Sequence, residues 1–321
     1  MSKPLVYVAR RIPAVGLNLI AEHAEVRMHE GALPPTRAEL LEGVRGCSGV
    51  LSLLSDRMDA EVFAAAGAGL KVVSNFAVGY NNIDVAEAKK RGIAVGNTPG
   101  VLTEATADIA VALLLAVARR LPEGWRAVEQ HQWKTWEPLG WMGLDLAGKT
   151  LGIVGLGRIG SAVAQRLRGG WGMKVLYTSR APKAEFEQQH DARHVQLDEL
   201  LRNSDFVSLH VPLSEATRKL IGAPELAMMK STAVLINTAR GEVLDQVALY
   251  EALRENRIFG AGLDVCEPEP LPVDSPLREL TNCLVVPHIG SATITARNAM
   301  ADRAARNLIA GIRGEALPYA V

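Results

Sequence analysis

Short apolar runs alternate with stretches of helical periodicity along the first hundred residues of the chain. Each apolar run has the length of a buried strand, and each stretch between two runs places its apolar residues on one face of a helix. Alternation of this kind predicts a parallel sheet with helices on its faces. The strands are predicted at Leu5–Ala9, Gly49–Leu54, Lys71–Ser74 and Ile93–Val95, and the helices at Arg37–Val44, Asp59–Ala66 and Asp84–Lys90.

A second series of the same kind begins at Lys149. The whole pattern therefore predicts an α/β protein with two doubly wound parallel-sheet domains. The strands of the second series are predicted at Thr150–Val154, Lys174–Thr178, Phe206–His210, Ala233–Asn237, Gly260–Asp264 and Cys283–Val286. The helices are predicted at Ile159–Arg168, Leu197–Arg202, Glu225–Met229 and Val247–Glu255, with a last one at about Thr293–Gly311.

The segment between the two series has a different character. A helix is predicted from Thr103 to about Arg120, because Thr103 can cap its start and Pro122 follows its end. Residues 124–146 then contain four of the five tryptophans of a chain that is only 5% aromatic. Such a segment predicts a buried contact, formed either between subunits or by packing within one chain. The four residues are Trp125, Trp133, Trp136 and Trp141.

Charge and apolar run length exclude several classes of function. Lys plus Arg equals Asp plus Glu, at 35 each, so no basic excess indicates nucleic acid or an anionic membrane as a partner. The longest apolar run, Ile109–Ala118, is shorter than the roughly 20 residues that cross a bilayer, and it predicts a buried helix. The N-terminus has no long apolar region typical of a signal peptide, which favours a cytoplasmic protein.

The cysteines give no sign of a disulfide framework or a metal site. Cys47, Cys266 and Cys283 are an odd number, lie far apart and share no Cys-x-x-Cys spacing. We therefore expect three reduced thiols in packed positions and no bound metal.

A glycine motif, Gly155-Leu156-Gly157-Arg158-Ile159-Gly160, directly follows one predicted strand and opens a predicted helix. That context is the one in which this spacing binds a dinucleotide. The first glycine permits the tight turn, the second lets the backbone approach a pyrophosphate, and the third lets the helix pack close to the strand. The helix N-terminus then offers unpaired N–H groups to the phosphates.

The end of the next strand bears on the choice of cofactor. NAD-binding proteins carry an acidic residue there, which accepts a hydrogen bond from the ribose 2′-hydroxyl. This chain has Tyr177-Thr178-Ser179-Arg180 at that position, with Lys183 nearby and no carboxylate. Because a guanidinium can pair with a 2′-phosphate, the sequence favours NADP, with NAD as the alternative. The alternative role for Arg180 is an ordinary solvated loop charge.

Three later segments each place a reactive side chain at or just beyond a predicted strand end: Arg240, Glu269 and His288. Ligands of an open parallel sheet bind beyond the carboxyl ends of its strands, so these three residues can meet there. Next to a dinucleotide site they suit the reduction of a 2-keto acid. The guanidinium would hold the carboxylate and polarise the ketone, the imidazole would donate a proton, and the carboxylate would orient the imidazole and favour its protonated form.

Each of the three residues also has an ordinary structural interpretation. Arg240 could form a structural ion pair, Glu269 could be a solvated loop charge, and His288 could be a satisfied histidine at a strand end. Their joint occurrence beside a dinucleotide motif favours the catalytic interpretation.

The motifs resemble those of the D-isomer-specific 2-hydroxyacid dehydrogenase family, and the resemblance covers essentially the whole chain. Within the family the chain is most similar to glyoxylate/hydroxypyruvate reductases. The family motifs are Gly155–Gly160, Leu235–Gly241, Gly262–Pro270 and Pro287–Thr293, and the features of the subgroup are Tyr177–Arg180, Pro268–Pro272 and Lys134–Trp141.

The resemblance implies roles for particular residues. Arg240, Glu269 and His288 would be catalytic, and the backbone around Val78 and Gly79, in the loop Asn75–Asn82, would bind the substrate carboxylate. Substrate binding would also involve Arg240, His288, Ser291 and Trp136. The cofactor would be bound by Gly155, Gly157, Arg158, Ile159, Gly160, Ser179, Arg180, Pro212, Thr238, Asp264 and Gly290.

The resemblance also implies a domain division and an assembly. Residues 1–100 and 288–321 would form a flavodoxin-like substrate domain, and residues 101–287 a Rossmann domain for the cofactor. Closure of the two domains would exclude water around the hydride. The protein would be a homodimer through the cofactor domain, with Trp136 reaching the active site of the neighbouring subunit.

The expected activity is the reduction of glyoxylate or hydroxypyruvate by NADPH to glycolate or D-glycerate. Two alternatives remain at this point. The same fold could act on another substrate, such as 2-ketogluconate, a phenylpyruvate-type keto acid or phosphite. The chain could also be a dinucleotide-sensing binding protein similar to the C-terminal-binding-protein corepressors. The complete set of Arg240, Glu269 and His288 argues against a binding protein.

Overall fold

Two parallel β-sheets, each in its own unit of the chain, organise the structure. The computed structural model describes residues 3–321. The first unit runs through Leu102 and resumes at Ala292, and the second unit spans Thr103–Ser291. The division based on the sequence ends the cofactor domain at residue 287. The second unit continues four residues further, so His288 lies in the same unit as Arg240 and Glu269.

The first unit contains a five-stranded parallel sheet in the order β2-β1-β3-β4-β5. This flavodoxin-like order agrees with the predicted fold class. The strands are β1 (Leu5–Val8), β2 (Glu25–Met28), β3 (Gly49–Ser52), β4 (Val72–Asn75) and β5 (Ala94–Gly96). The helices are α1 (Ala14–His23), α2 (Arg37–Gly43), α3 (Ala60–Ala66) and α4 (Val85–Lys90), together with α12 (Ile294–Arg313) from the end of the chain.

Side-chain caps define where several of these helices begin. Thr36 forms a capping box with Glu39 at the start of α2, and Asp59 and Asp84 accept backbone N–H groups at the starts of α3 and α4. Thr293 caps α12 in the same way. These short polar side chains satisfy N–H groups that have no partner within the helix, so the sequence specifies the helix starts locally.

The second unit contains a seven-stranded parallel sheet in the order β12-β11-β10-β9-β6-β7-β8. The strands are β6 (Thr150–Val154), β7 (Lys174–Thr178), β8 (Ala192–His194), β9 (Phe206–Leu209), β10 (Val234–Asn237), β11 (Gly260–Leu263) and β12 (Cys283–Val285). The helices are α5 (Thr103–Ala118), α6 (Leu121–Glu129), α7 (Arg158–Trp171), α8 (Ala184–His190), α9 (Leu197–Asn203), α10 (Ala223–Met228) and α11 (Gln246–Arg254).

The longest apolar run of the sequence forms most of α5, and that helix is buried as predicted. Ala110, Leu113 and Leu114 are at most 3% exposed and belong to the core that also contains Ile153 and Ile236 of the sheet. Within residues 3–321, no helix is both long enough and apolar enough to cross a membrane.

Among the α-helices and strands of residues 3–321, the sequence pattern missed five: α1, β2, α6, α8 and β8. Two of them, β2 and β8, each lie at one edge of their sheet, and β2 has no fully buried residue. Such strands lack the continuous apolar run by which buried strands are recognised. In α6, Pro122 lies in the first turn, so the residue that indicated the end of α5 also begins the next helix.

Candidate active site

The glycine motif forms the turn between β6 and α7. Gly155 has a φ of +98°, and a side chain at this position would lie 2.8 Å from the carbonyl of His210. A Cβ on Gly160 would lie 2.3 Å from the carbonyl oxygen of Gly155, so the helix packs against the turn at a distance that only glycine permits. A Cβ on Gly157, by contrast, would meet no atom within 4 Å.

This turn fits a dinucleotide. The helix α7 begins at Arg158 without any side-chain cap, so no capping side chain accepts its first N–H groups, and the N-cap residue Gly157 has open space where a side chain would start. An anionic group placed there would accept hydrogen bonds from the helix N-terminus. Ile159 is half-buried against the core, and the Arg158 side chain is exposed. A pyrophosphate that approached the turn at Gly157 would therefore meet no side chain there.

The loop after β7 is held in a defined shape. The Ser179 hydroxyl donates to the carbonyl of Ala181 at 2.7 Å, and the Lys183 N–H donates to the Tyr177 hydroxyl at 2.7 Å. A ring nitrogen of His194 lies 3.1 Å from the Ser179 carbonyl oxygen. Arg180 is exposed at the tip of this loop. The loop therefore presents a hydroxyl and cationic side chains, and no carboxylate, at the end of the second strand of the dinucleotide fold.

The imidazole of His288 pairs with the carboxylate of Glu269. His288 Nδ1 lies 2.8 Å from Glu269 Oε2, and Glu269 Oε1 accepts the N–H of Cys266 at 3.1 Å. Partial burial acts to raise the pKa of Glu269. The hydrogen bond from His288 and the positive charges of His288 and Arg240 outweigh burial and hold that pKa below its ordinary value. Glu269 is therefore a carboxylate at neutral pH, and it orients the imidazole through Nδ1.

Asp264 fixes the turn that carries His288. His288 has a φ of +52°, a conformation that non-glycine residues rarely adopt. The next two backbone N–H groups, of Ile289 and Gly290, donate to the two Asp264 oxygens at 2.6 and 2.8 Å. Asp264 itself is only 2% exposed, and this burial raises its pKa despite the two hydrogen bonds. The carboxylate at the end of β11 therefore sets the backbone of the turn after β12.

Arg240 is carried by a loop that Asn237 closes at the end of β10. The Asn237 side-chain amide donates to the carbonyl of Arg240 at 2.9 Å, and its oxygen accepts the N–H of Ala239 at 3.0 Å. Burial lowers the pKa of Arg240, and the carboxylates of Glu269 and Glu242 oppose that effect. A guanidinium stays charged under these conditions. Arg240, Glu269 and His288 thus gather at the carboxyl edge of the second sheet.

Other residues assigned to the cofactor lie at the same edge. Thr238 is buried, and its hydroxyl oxygen lies 3.5 Å from Nδ1 of His210. Pro212 is exposed, and its carbonyl accepts the Thr217 hydroxyl at 2.6 Å. Pro212 follows β9, the strand beside β6, and Thr238 follows β10, the next strand in the sheet. Ser291 is half-buried in the second unit.

His210, which has no predicted role, follows β9 directly. Its Nε2 lies 2.8 Å from the Ser208 hydroxyl oxygen, and burial lowers the pKa of His210 to about 3. The ring is therefore neutral at physiological pH and joins the ends of β9 and β10. The sequence signal for such a role is the position of His210 directly after a buried strand, at the edge of the sheet where ligands bind.

The loop assigned to the substrate carboxylate lies in the first unit. Val78 and Gly79 are half-buried and follow β4 at the carboxyl edge of the five-stranded sheet.

The tryptophan-rich segment presents its aromatic side chains on the surface of the single chain. Trp125, on α6, is 62% exposed, Trp133 is 60% exposed, and Trp136 is 79% exposed. Leu139, in the same segment, is 77% exposed. The sequence left two alternatives for these tryptophans, a contact between subunits and packing within one chain. Packing within one chain does not bury Trp125, Trp133 or Trp136.

A dinucleotide turn and a carboxylate-paired imidazole at one sheet edge define a dehydrogenase that uses a nicotinamide dinucleotide. A family model described as "D-isomer specific 2-hydroxyacid dehydrogenase, NAD binding domain" matches residues 111–290, more than half of the chain. The chain belongs to the D-isomer-specific 2-hydroxyacid dehydrogenase family, as its motifs implied.

Similar curated proteins carry the name glyoxylate reductase. The protein of Korarchaeum cryptofilum is 52% identical over 320 residues, which cover 99% of this chain and 96% of the relative. The protein of Thermococcus litoralis is 49% identical over 323 residues, which cover 99% of this chain and 97% of the relative.

Solved structures agree with this assignment. A glyoxylate reductase from Paecilomyes thermophila has a TM-score of 0.86 at 32% identity, with 100% of this chain and 99% of that chain covered. An NADPH-dependent glyoxylate/hydroxypyruvate reductase from Sinorhizobium meliloti, in complex with NADP and malonate, has a TM-score of 0.84 at 34% identity, with 100% and 97% covered.

Proposed function

We propose that this protein uses NADPH to reduce glyoxylate and hydroxypyruvate to glycolate and D-glycerate. The observation that carries the proposal is the 2.8 Å pairing of His288 Nδ1 with Glu269, beside Arg240 and in the same unit as the glycine turn. A bound nicotinamide supplies the hydride. The side chains of the protein must then hold the keto acid and deliver one proton.

His288 is the proton donor in this proposal. Because Nδ1 is directed at Glu269, the proton that can be transferred lies on Nε2, the other ring nitrogen. The carboxylate stabilises the charged imidazole before transfer and fixes its orientation. After transfer to the developing alkoxide, the neutral ring still donates from Nδ1 to Glu269, so the geometry is kept through the cycle.

Arg240 is the electrophilic group in this proposal. Its guanidinium can bind the substrate carboxylate and keto oxygen through parallel N–H groups. Burial makes this interaction stronger than it would be in water, since fewer water dipoles screen the charge. The backbone amides of Val78 and Gly79 are proposed to bind the substrate carboxylate as well, and Ser291 is proposed to line the same substrate.

NADPH is the proposed reductant because of the loop after β7. Ser179 and Arg180 stand where a carboxylate would repel a 2′-phosphate. The Sinorhizobium meliloti relative is described as NADPH-dependent and was solved with NADP. NAD is the alternative cofactor, and it would be favoured if the exposed Arg180 made no contact with the nucleotide.

A homodimer is the proposed assembly. Trp125, Trp133 and Trp136 are large apolar side chains that a single chain leaves exposed, and contact with a second copy would remove them from water. Trp136 is proposed to reach the substrate site of the other subunit.

The test is a matrix of initial rates followed at 340 nm. Glyoxylate, hydroxypyruvate and pyruvate are each assayed with NADPH and with NADH, and 2-ketogluconate, phenylpyruvate and phosphite (with the oxidised cofactors) are added as competing substrates. The proposal expects the highest kcat/KM for glyoxylate or hydroxypyruvate with NADPH. A higher value for any competing substrate, or for NADH, would reassign the substrate or the cofactor.

A further inference from the structure

Three consecutive carbonyl groups in the loop after β4 are each held by a donor. The carbonyl of Ala77 accepts the N–H of Thr98 at 2.8 Å. The carbonyl of Val78 accepts the side-chain amide of Asn97 at 2.7 Å, and that of Gly79 accepts the side-chain amide of Asn75 at 2.8 Å. Two of the three donors are therefore the side-chain amides of Asn97 and Asn75, and each of them donates to a backbone carbonyl of the loop.

The direction of these carbonyls fixes the direction of the following amides. In a trans peptide the C=O and the next N–H point to opposite sides of the chain. The N–H groups of Val78, Gly79 and Tyr80 must therefore point away from Thr98, Asn97 and Asn75. Within residues 3–321, no acceptor pairs with these three N–H groups. Successive backbone N–H groups that face the same way form a site for an anion.

Asn97 is anchored on both sides of its side chain. It is 8% exposed, and its backbone N–H donates to the carbonyl of Tyr319 at 3.1 Å. Its backbone carbonyl accepts the side-chain amide of Asn307, a fully buried residue of α12, at 2.9 Å. The C-terminal helix and the chain end therefore fix Asn97, and Asn97 in turn fixes the carbonyl of Val78.

Asn75 is anchored in a similar way. It is fully buried, its Oδ1 accepts the Ser52 hydroxyl at 3.0 Å, and its Nδ2 also lies 3.1 Å from Oδ1 of Asn82. A buried carboxamide without partners would be costly, whereas each partner here belongs to the loop or to the strand beside it. The two asparagines therefore hold the loop through two adjacent carbonyls, those of Val78 and Gly79.

We propose that Asn97 and Asn75 are positioning residues for the substrate carboxylate. By holding the carbonyls of Val78 and Gly79, they direct the N–H groups of residues 78–80 toward a carboxylate. The proposal rests on the proposed function, since it deepens the role of the Val78 and Gly79 backbone. It also defines the ligand class: the substrate must carry a free carboxylate, because an ester would give these N–H groups no anion.

The test compares Asn97→Ala and Asn97→Asp with wild type. Asn97→Asp keeps the shape but replaces a donor with a carboxylate that repels the carbonyl of Val78. We expect the KM for glyoxylate to rise about tenfold or more in Asn97→Ala and further in Asn97→Asp, with kcat changing less. NADPH affinity should not change, since the glycine turn belongs to the other unit. Asn18→Ala, an exposed change on α1, is the matched control and should leave every value unchanged.

A KM for glyoxylate that rises while kcat, NADPH affinity and Tm stay constant indicates a positioning role for Asn97. A general loosening of the fold would lower the Tm as well. Should Asn97→Asp not fold, Asn97→Ser tests the same contact, because the serine side chain is too short to reach the carbonyl of Val78. Binding of oxamate, a carboxylate analogue of a keto acid, to the NADPH-loaded protein is measured in parallel and is expected to weaken in the same variants.

The outcomes distinguish this inference from the proposed function. Wild-type turnover with an unchanged KM in both Asn97 variants would overturn the inference and leave the proposed function standing. Oxamate binding without turnover in wild type, weakened by Asn97→Ala, would support the inference against the proposed reaction. A wild type that neither binds oxamate nor reduces any keto acid would overturn both.

Discussion

The buried carboxylate of Asp264 accepts the backbone N–H of Gly290 at 2.8 Å, two residues beyond His288. Its other oxygen accepts the N–H of Ile289 at 2.6 Å, so both oxygens of one side chain hold the turn of the proposed proton donor. An anionic acceptor bound by two backbone donors forms stronger hydrogen bonds than a neutral one. The orientation of His288 therefore depends on Asp264 as well as on Glu269.

Asp264→Asn should loosen this turn, because an NH₂ group would then face a backbone N–H. We expect the free energy of unfolding to fall by about 1–3 kcal/mol and kcat to fall with it. Chemical denaturation and initial rates measure the two effects. Asp274→Asn, an exposed change in the following loop, is the control and should alter neither. Equal stability and turnover in Asp264→Asn would show that the turn holds without the carboxylate.

The pairing of Glu269 with His288 should make the free energy of unfolding depend on pH in the acidic range. The folded protein holds the pKa of Glu269 below its ordinary value, so the contribution of this carboxylate is complete at neutral pH. It is lost as the pH falls from about 4.3, the ordinary pKa of glutamate, through the lower folded pKa. The Tm of wild type and of Glu269→Gln, compared from pH 7 to pH 3, should therefore converge as the pH falls. A difference that stays constant would mean that the charge of Glu269 does not stabilise the fold.

Ser179→Asp should change the choice of cofactor. A carboxylate at the end of β7 would repel a 2′-phosphate and accept from a 2′-hydroxyl. We expect the KM for NADPH to rise about tenfold or more while that for NADH falls or stays the same. Arg193→Ala, which removes an exposed arginine on the adjacent strand β8, is the control. Unchanged use of both cofactors in Ser179→Asp would remove the basis for the NADP preference.

The exposed tryptophans should control assembly. Trp125→Asp combined with Trp133→Asp places two charges on the surface that a second copy is proposed to cover. We expect light scattering after size-exclusion chromatography to give a dimer for wild type and a monomer for the double variant. Val247→Asp changes an exposed apolar residue on α11 and should remain dimeric. A monomeric wild type would contradict the proposed assembly.

Much of this architecture could be predicted because the relevant signals are local. The buried strands of both sheets are short apolar runs, and the structure gives β6 and β7 the predicted bounds. The strands β2 and β8 could not be recognised, because β2 has no buried residue and β8 has only one, so neither carries a continuous apolar run.

The site was predictable in part for a similar reason. Arg240, Glu269 and His288 follow consecutive strands of one sheet edge, so topology alone brings them together. The bonds from Asn97 to Val78 and from Asn307 to Asn97 join residues 19 and 210 positions apart. No local pattern indicates such pairs, since an asparagine near a strand end is equally typical of an ordinary turn.

The most direct test of the proposed mechanism is the turnover of His288→Ala. NADPH binding, followed by fluorescence, should stay within about twofold of wild type, since the glycine turn is untouched. Turnover of glyoxylate should fall about a thousandfold, because the proton donor is lost. Wild-type turnover in this variant would contradict the role of the His288–Glu269 pair and, with it, the proposed mechanism.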